Sequence, residues 1–214
     1  MDAKVKIYRE KAEKIIENLK KRNMNGIYCE NSKQAVEEIL KMIPDNVLVG
    51  LGGSETIIET GLVDALRKRN LRLLDRYKEG VSKEEVDAMR REGLLSDVFI
   101  ASSNAITVDG KLVNMDGIGN RVAAMIFGPK KVILMAGMNK VVRTVEEAIS
   151  RIKNHAAPLN AVRVSKKTPC YQLGYCNDPY CHPPNRICSQ LVILEASMVP
   201  GRVMVVLVGE DLGY

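Results

Sequence analysis

The sequence predicts an α/β fold: a mostly parallel sheet with helices on both faces. Two observations carry this. Short apolar runs (Asn46–Leu51, Leu71–Leu74, Asp97–Ala101 and Lys131–Met135) alternate with stretches of helical periodicity. That alternation is how parallel strands joined by helical crossovers read when both faces are buried. The 214 residues, 46% hydrophobic and 27% charged, suit one domain that buries about 70% of its unfolded surface.

The first 22 residues read as a helix, with Val5, Tyr8, Ala12, Ile15, Ile16 and Leu19 at three- and four-residue steps. Asn23–Gly26 ends it, and Ile27–Cys29 is a short strand. Ser32 is expected to cap a helix over 33–43, stopped by Pro44, so that 1–43 forms an N-terminal helical segment. The strand Asn46–Leu51 leads through glycines into a helix over 55–69, whose Arg67-Lys68-Arg69 suits the C-terminal dipole. Ser82 opens a helix to about Glu92. Ala105–Val108, Asp109-Gly110 and Lys111–Val113 give a hairpin, an antiparallel addition to the sheet. A helix follows Gly119, and another runs from Thr144 to about Asn154, where His155 meets its dipole. At about residue 156 the composition changes. Residues 156–188 hold five of the eight prolines and four of the five cysteines, and read as a loop-rich Cys/Pro insert. Gln190–Glu195 and Arg202–Val208 return to the core as strands joined through Pro200-Gly201, so that 1–214 is one domain.

Net charge is +6, and residues 151–188 carry six Lys/Arg against one acid. The rest is nearly neutral, which argues against a general nucleic-acid surface. No run reaches the ~20 apolar residues of a membrane span. The N-terminus lacks a secretory h-region, and five cysteines is an odd number. Both point to a reducing, cytoplasmic compartment, where metal binding or free thiols outrank disulfides.

Three constellations carry chemistry. In the first, Gly52, Gly53, Ser54, Glu55 and Thr56 link a strand to a helix start, a geometry that offers backbone N–H groups to an anion. The turn has neither the Gly-Lys-Ser/Thr of an ATP loop nor the third glycine of a dinucleotide fingerprint. A plain turn with a capping box from Thr56 to Glu59 is the competing reading. In the second, Asn114, Asp116, Gly117, Gly119, Asn120 and Arg121 precede a helix, and Asn139 and Lys140 form a polar turn after the next strand, with a plain Asp/Asn-rich turn and a solvated Lys140 as the competing readings. Both turns fall where a parallel sheet places its carboxyl-end loops. Glu59 or Asp116 is the candidate general base. The third is Cys170, Cys176, Cys181 and Cys188, four thiols within 19 residues and without a Cys-x-x-Cys pair. An iron–sulfur cluster or zinc, a disulfide pair, and simple packing all fit it, with His182 as a substitute ligand. Tyr171, Tyr175 and Tyr180 are expected to cover the cluster, and Cys29 to be a small buried residue.

Gly52–Thr56 with Glu59 and Gly61 resembles the G-S-x-T-x-x-E-x-G loop of the LUD family, the lactate-utilisation proteins. The stretch from Thr107 to Lys140, with Asp109-Gly110, Asn114, Asp116-Gly117, Gly119-Asn120-Arg121, Gly128-Pro129 and Asn139-Lys140, is similar to that family's second signature. The resemblance spans roughly 5–155 and the terminal strands. It implies a fold like the sugar isomerases and coenzyme A transferases, with a ligand cleft at the strand ends. It also implies a subunit in the oxidation of lactate or a similar small organic acid, binding an anionic small molecule and working with iron–sulfur partner proteins. An isomerase or transferase acting on a sugar phosphate or coenzyme A thioester is the second expectation. A metal-supported module binding a partner protein or RNA, without catalysis, is the third. Subunits of this size are often homodimers.

Overall fold

A computed structural model describes residues 3–214. Its centre is a six-stranded parallel sheet in the order β1–β10–β7–β4–β2–β3, made of Asn25–Cys29, Val203–Val208, Lys131–Gly137, Val98–Ala101, Leu48–Leu51 and Arg72–Leu74. The inner strands are apolar on both faces because both are covered. Phe99, Ala101, Val132, Leu134, Val205 and Leu207 pack on one side with the helix α1 (Ala3–Lys21) and α6 (Asn120–Ile126). Val49, Ile100, Ile133, Met135, Val206 and Val208 face the other side, under α2 (Ser32–Lys41), α3 (Glu55–Glu59) and α4 (Leu62–Arg67).

The hairpin of β5 (Ala105–Thr107) and β6 (Leu112–Asp116) forms as expected, but it does not extend the main sheet. With β8 (Val141–Val142) and β9 (Gln190–Leu194) it builds a second sheet in the order β8–β5–β6–β9. α7 (Val145–Arg151) and the residue after it cover that sheet through Ala148 and Ile152. The strands either side of Pro200-Gly201 therefore enter different sheets.

Several local expectations change. The first helix is confirmed from Ala3, and residues 1 and 2 lie outside the described residues. Asn31, not Ser32, caps α2 by accepting from the Gln34 N–H; the Ser32 N–H is held by Glu210. The helix expected over 55–69 is two short helices. Gly61 sits between them at φ 72, a left-handed backbone that interrupts the ladder and suits glycine. α5 (Lys83–Glu92) carries the Ser82 cap with a full capping box to Glu85. The helical path after Thr144 does not end near 154. It passes through a π-turn at Ile152–Ala156 into α8 (Ala157–Arg163), shifting the ladder just before Pro158, which has no N–H to donate. His155 therefore lies inside that turn, and burial lowers its pKa. The irregular part begins after Arg163 and holds only α9 (Pro169–Leu173) and one 3-10 turn. No helix among the described residues is long and apolar enough to cross a membrane.

Candidate functional site

β2, β4 and β7 end side by side. From β2 the chain goes out to β3 on one side, and from β4 it goes on to β7 on the other. The β2–β4 junction is thus a topological switch point, where open sheets form ligand crevices. A cavity of about 440 Å³ opens there. The turns after β2 (Gly53, Ser54, Glu55, Thr56), β4 (Ser102, Ser103, Asn104) and β7 (Lys140) line it, as do Asp116, Gly117, Asn120 and Arg121 from the second sheet and α6. The glycine turn, the Asp/Asn turn and the lysine turn so share one hollow.

Lys140 is the central charge. It is 3% exposed, and its Nζ donates to Thr56 Oγ1 at 2.8 Å and Ser102 Oγ at 3.0 Å. Burial, with Arg151 and Arg121 adding repulsion, lowers its pKa to about 7, while the nearby Glu59 charge opposes the shift. It therefore holds its proton far less firmly than a solvated lysine does. Arg151 donates to the Asn139 and Asn104 carbonyls, tying the lysine turn to the β4 turn.

Arg121 is buried and spoken for. Its guanidinium donates to Ser102 O, Asn114 Oδ1, Asn104 Oδ1 and Met115 O, all between 2.7 and 3.0 Å. Burial lowers its pKa. It welds the β4 turn to β6, and Asn114 serves that weld from outside the cavity lining. Asp116 accepts from the backbone N–H groups of Arg121 and Val122, fixing the start of α6 behind Gly119 at φ 89.

Two N–H groups of the glycine turn are already engaged. Gly52 N donates to Ile100 O and Ser54 N to the Tyr77 hydroxyl, which itself donates to Gly52 O at 2.8 Å. Gly52 lies behind the lining, with space for no side chain: an added Cβ would come 2.8 Å from the Ala101 Cβ. The capping box from Thr56 to Glu59 is absent. Ser54 occupies the cap position without a side-chain cap bond, Thr56 holds Lys140, and Glu59 accepts from Gly213 N. Asn139 exchanges bonds with Leu212 and reaches Gly213 O. Glu59 and Asn139 thus sit outside the cavity and clamp the 212–213 backbone, which delivers Tyr214 to the lining.

The sequence reading missed Arg76, Arg90, Arg163 and Tyr214, which also line the cavity. They are single residues from distant segments and share no spacing. Arg76 lies over the glycine turn, its Nη1 3.5 Å from where a Cβ on Gly53 would stand. Its guanidinium stands 5.9 Å from the centre of the Tyr77 ring, and burial lowers its pKa, the Tyr77 and Asp116 charges opposing the shift and Arg90 and Arg163 adding to it. Arg163 lies 3.7 Å from Glu55. Five buried side-chain polar atoms among the described residues lack a hydrogen-bond partner. Three of them, Ser54 Oγ, Arg90 Nε and Tyr214 Oη, belong to residues lining this cavity.

The four clustered cysteines line a second, smaller cavity of about 20 Å³, together with Lys153, Asp178 and Arg186. All are free thiols, so no disulfide joins them. Burial pushes the Cys188 thiol up to about 11, and the charge of the other three adds to this. Among the described residues no three Cys, His, Asp or Glu side chains already stand in metal-holding geometry. Tyr171, Tyr175 and Tyr180 are 41%, 55% and 73% exposed and do not cover the cluster; neither they nor His182 lines its cavity. Cys29 is buried on its own strand, 1% exposed.

A comparison with curated proteins finds no match. Among solved structures, the chain is similar to a DUF162 family protein from Deinococcus radiodurans, with a TM-score of 0.50 and 12% identity over 94% of this chain and 97% of that one. At that identity the likeness speaks for the fold. The family model described as the LUD domain matches residues 12–208. Nearly the whole chain, both sheets included, falls within that match, and the protein belongs to the LUD-domain family.

Proposed function

We propose that the strand-end cavity binds a small organic anion, and that the protein serves as a LUD-type subunit in the metabolism of a lactate-like acid, with iron–sulfur partner proteins taking up the electrons. The observation that carries the reading is the gathering of Arg76, Arg90, Arg163 and Lys166 with the buried Lys140 around one hollow. The lining holds six Lys and Arg (Arg76, Arg90, Arg121, Lys140, Arg163, Lys166) against Glu55 and Asp116, which selects negative charge. Arg76 presents the planar donor set that matches a carboxylate.

Lys140 is assigned the proton. Poised near 7, it holds a carboxylate when charged and takes the substrate hydroxyl proton when neutral, while the C2 hydrogen leaves with its electron pair to a two-electron acceptor supplied by the partner proteins. Glu59 acts on it through space, by favouring its charged form, and Asp116 is occupied in fixing α6.

Thermal stability measured against lactate, pyruvate, sugar phosphates and coenzyme A thioesters tests the proposal. Lactate or pyruvate should raise the melting temperature of the wild type by mass action and do so at least about tenfold less potently in Arg76→Ala. Stabilisation by sugar phosphates or thioesters alone moves the assignment to an isomerase or transferase. No response to any anion removes it.

A further inference from the structure

We propose that Cys170, Cys176, Cys181 and Cys188 bind one zinc ion as four thiolates, and that this ion fastens the 164–189 segment onto the wall of the anion cavity. The inference does not rest on the identity of the anion.

The first observation is convergence. The four residues come from α9, an irregular loop, the end of a 3-10 turn and the approach to β9, yet all line one small cavity. Neighbouring side chains hold three of the backbones and one of the sulfurs. Arg186 donates to the carbonyls of Cys181 and Cys188 at 2.8 and 2.7 Å. Asn154 accepts from Cys176 N, and Thr168 Oγ1 lies 3.0 Å from Cys170 Sγ. Such outer bonds are what orient the ligands of a metal.

The second observation is that the segment has almost no core. Between 164 and 189 only Thr168 and Cys170 are buried. A stretch of this length cannot offset its ordering entropy with so little apolar burial, and short coreless segments are held by disulfides or metals. Disulfides are absent here.

Size and charge choose the occupant. About 20 Å³ holds roughly one water-sized body, which suits a single ion. Four thiolates around one divalent cation leave a double negative charge. Lys153 and Arg186 stand against it, both also bonded to Asp178 at 2.7 Å. Side-chain rotation has to draw the sulfurs in to the about 2.3 Å of a zinc–thiolate bond.

The site has a reach beyond itself. Ile187 and Cys188 line both cavities, and the Ile187 carbonyl lies 3.3 Å from where a Cβ on Gly117 would stand. Fixing Cys188 therefore fixes part of the anion cavity's wall.

The test is metal analysis with an absorption spectrum on the full chain purified without oxygen, followed by cobalt exchange. About one zinc per chain, and thiolate-to-cobalt charge-transfer bands after exchange, are expected. The Cys176→Ser/Cys181→Ser variant should lose at least about nine-tenths of its zinc, and proteolysis within 164–189 should accelerate both in it and in chelator-treated wild type. About four irons per chain with absorption near ~400 nm would overturn the single ion. Wild-type protein that carries no metal, takes up no added zinc or cobalt, and shows the same proteolysis with or without chelator would overturn the site altogether. The wild-type arms stand even if the variant fails to fold.

Discussion

Replacing Lys140 by methionine keeps an unbranched side chain one atom shorter and removes the charge. An unfolded lysine holds its proton up to about 10.5, whereas the folded Lys140 releases it near 7. Between those values the unfolded chain binds more protons, so the wild type gains stability as pH rises. The full penalty is present below about pH 7 and is gone above about 10.5. At about 1.36 kcal/mol per pH unit, the span from 10.5 to about 7 corresponds to about 4–5 kcal/mol. The lost bonds to Thr56 and Ser102 shift the variant by a roughly constant amount, about 1 kcal/mol each. Other titrating groups are common to both proteins. Urea unfolding of wild type and Lys140→Met at several pH values should therefore give two curves whose difference changes by about 2 kcal/mol or more between pH 7 and 9, the wild type gaining. Parallel curves, differing by less than about 0.5 kcal/mol in that comparison, would show that the amine keeps its ordinary proton affinity, and the proton role assigned to it would go.

The same titration acts on binding. The melting-temperature increase produced by a bound carboxylate should shrink as pH rises from about 6 to about 9, because Lys140 loses its charge in that window; an increase that holds constant would place the anion away from Nζ. Arg121→Met leaves four buried acceptors without their donor and should cost about 3 kcal/mol or more, read from the urea midpoint. Gly213→Ala puts a Cβ in a left-handed backbone at φ 55 and 2.6 Å from Thr56 Oγ1. It should cost about 1–2 kcal/mol from the backbone alone and displace Lys140's partner, visible as a weaker anion response than wild type at equal temperature below melting.

The main sheet was legible because its inner strands are buried on both faces and so spell unbroken apolar runs, as in Lys131–Gly137 and Val203–Val208. The second sheet was not. β8 is two residues long, and β9 pairs with β6 across most of the C-terminal half, so neither leaves a local signal beyond an apolar run. Gly61 sat inside an acceptable helical pattern, and only its left-handed backbone reveals the break. The turns around the cavity could be read from glycines and small polar residues after strands. Their division of labour could not. Arg121 and Asp116 look like ligand groups in sequence, yet the nearest acceptors and donors consume them. Arg76 and Arg163 look like ordinary surface charges, and only tertiary packing turns them inward.

β10 lies between β1 and β7, and β1 meets the sheet through β10 alone. The strand that enters the main sheet last therefore acts as a wedge holding the first one in place. A protease cut in the exposed 171–175 stretch would yield two pieces that stay interlocked, since the smaller piece fills the slot that the larger one leaves open. The two pieces should travel together through gel filtration and part only when the whole sheet unfolds.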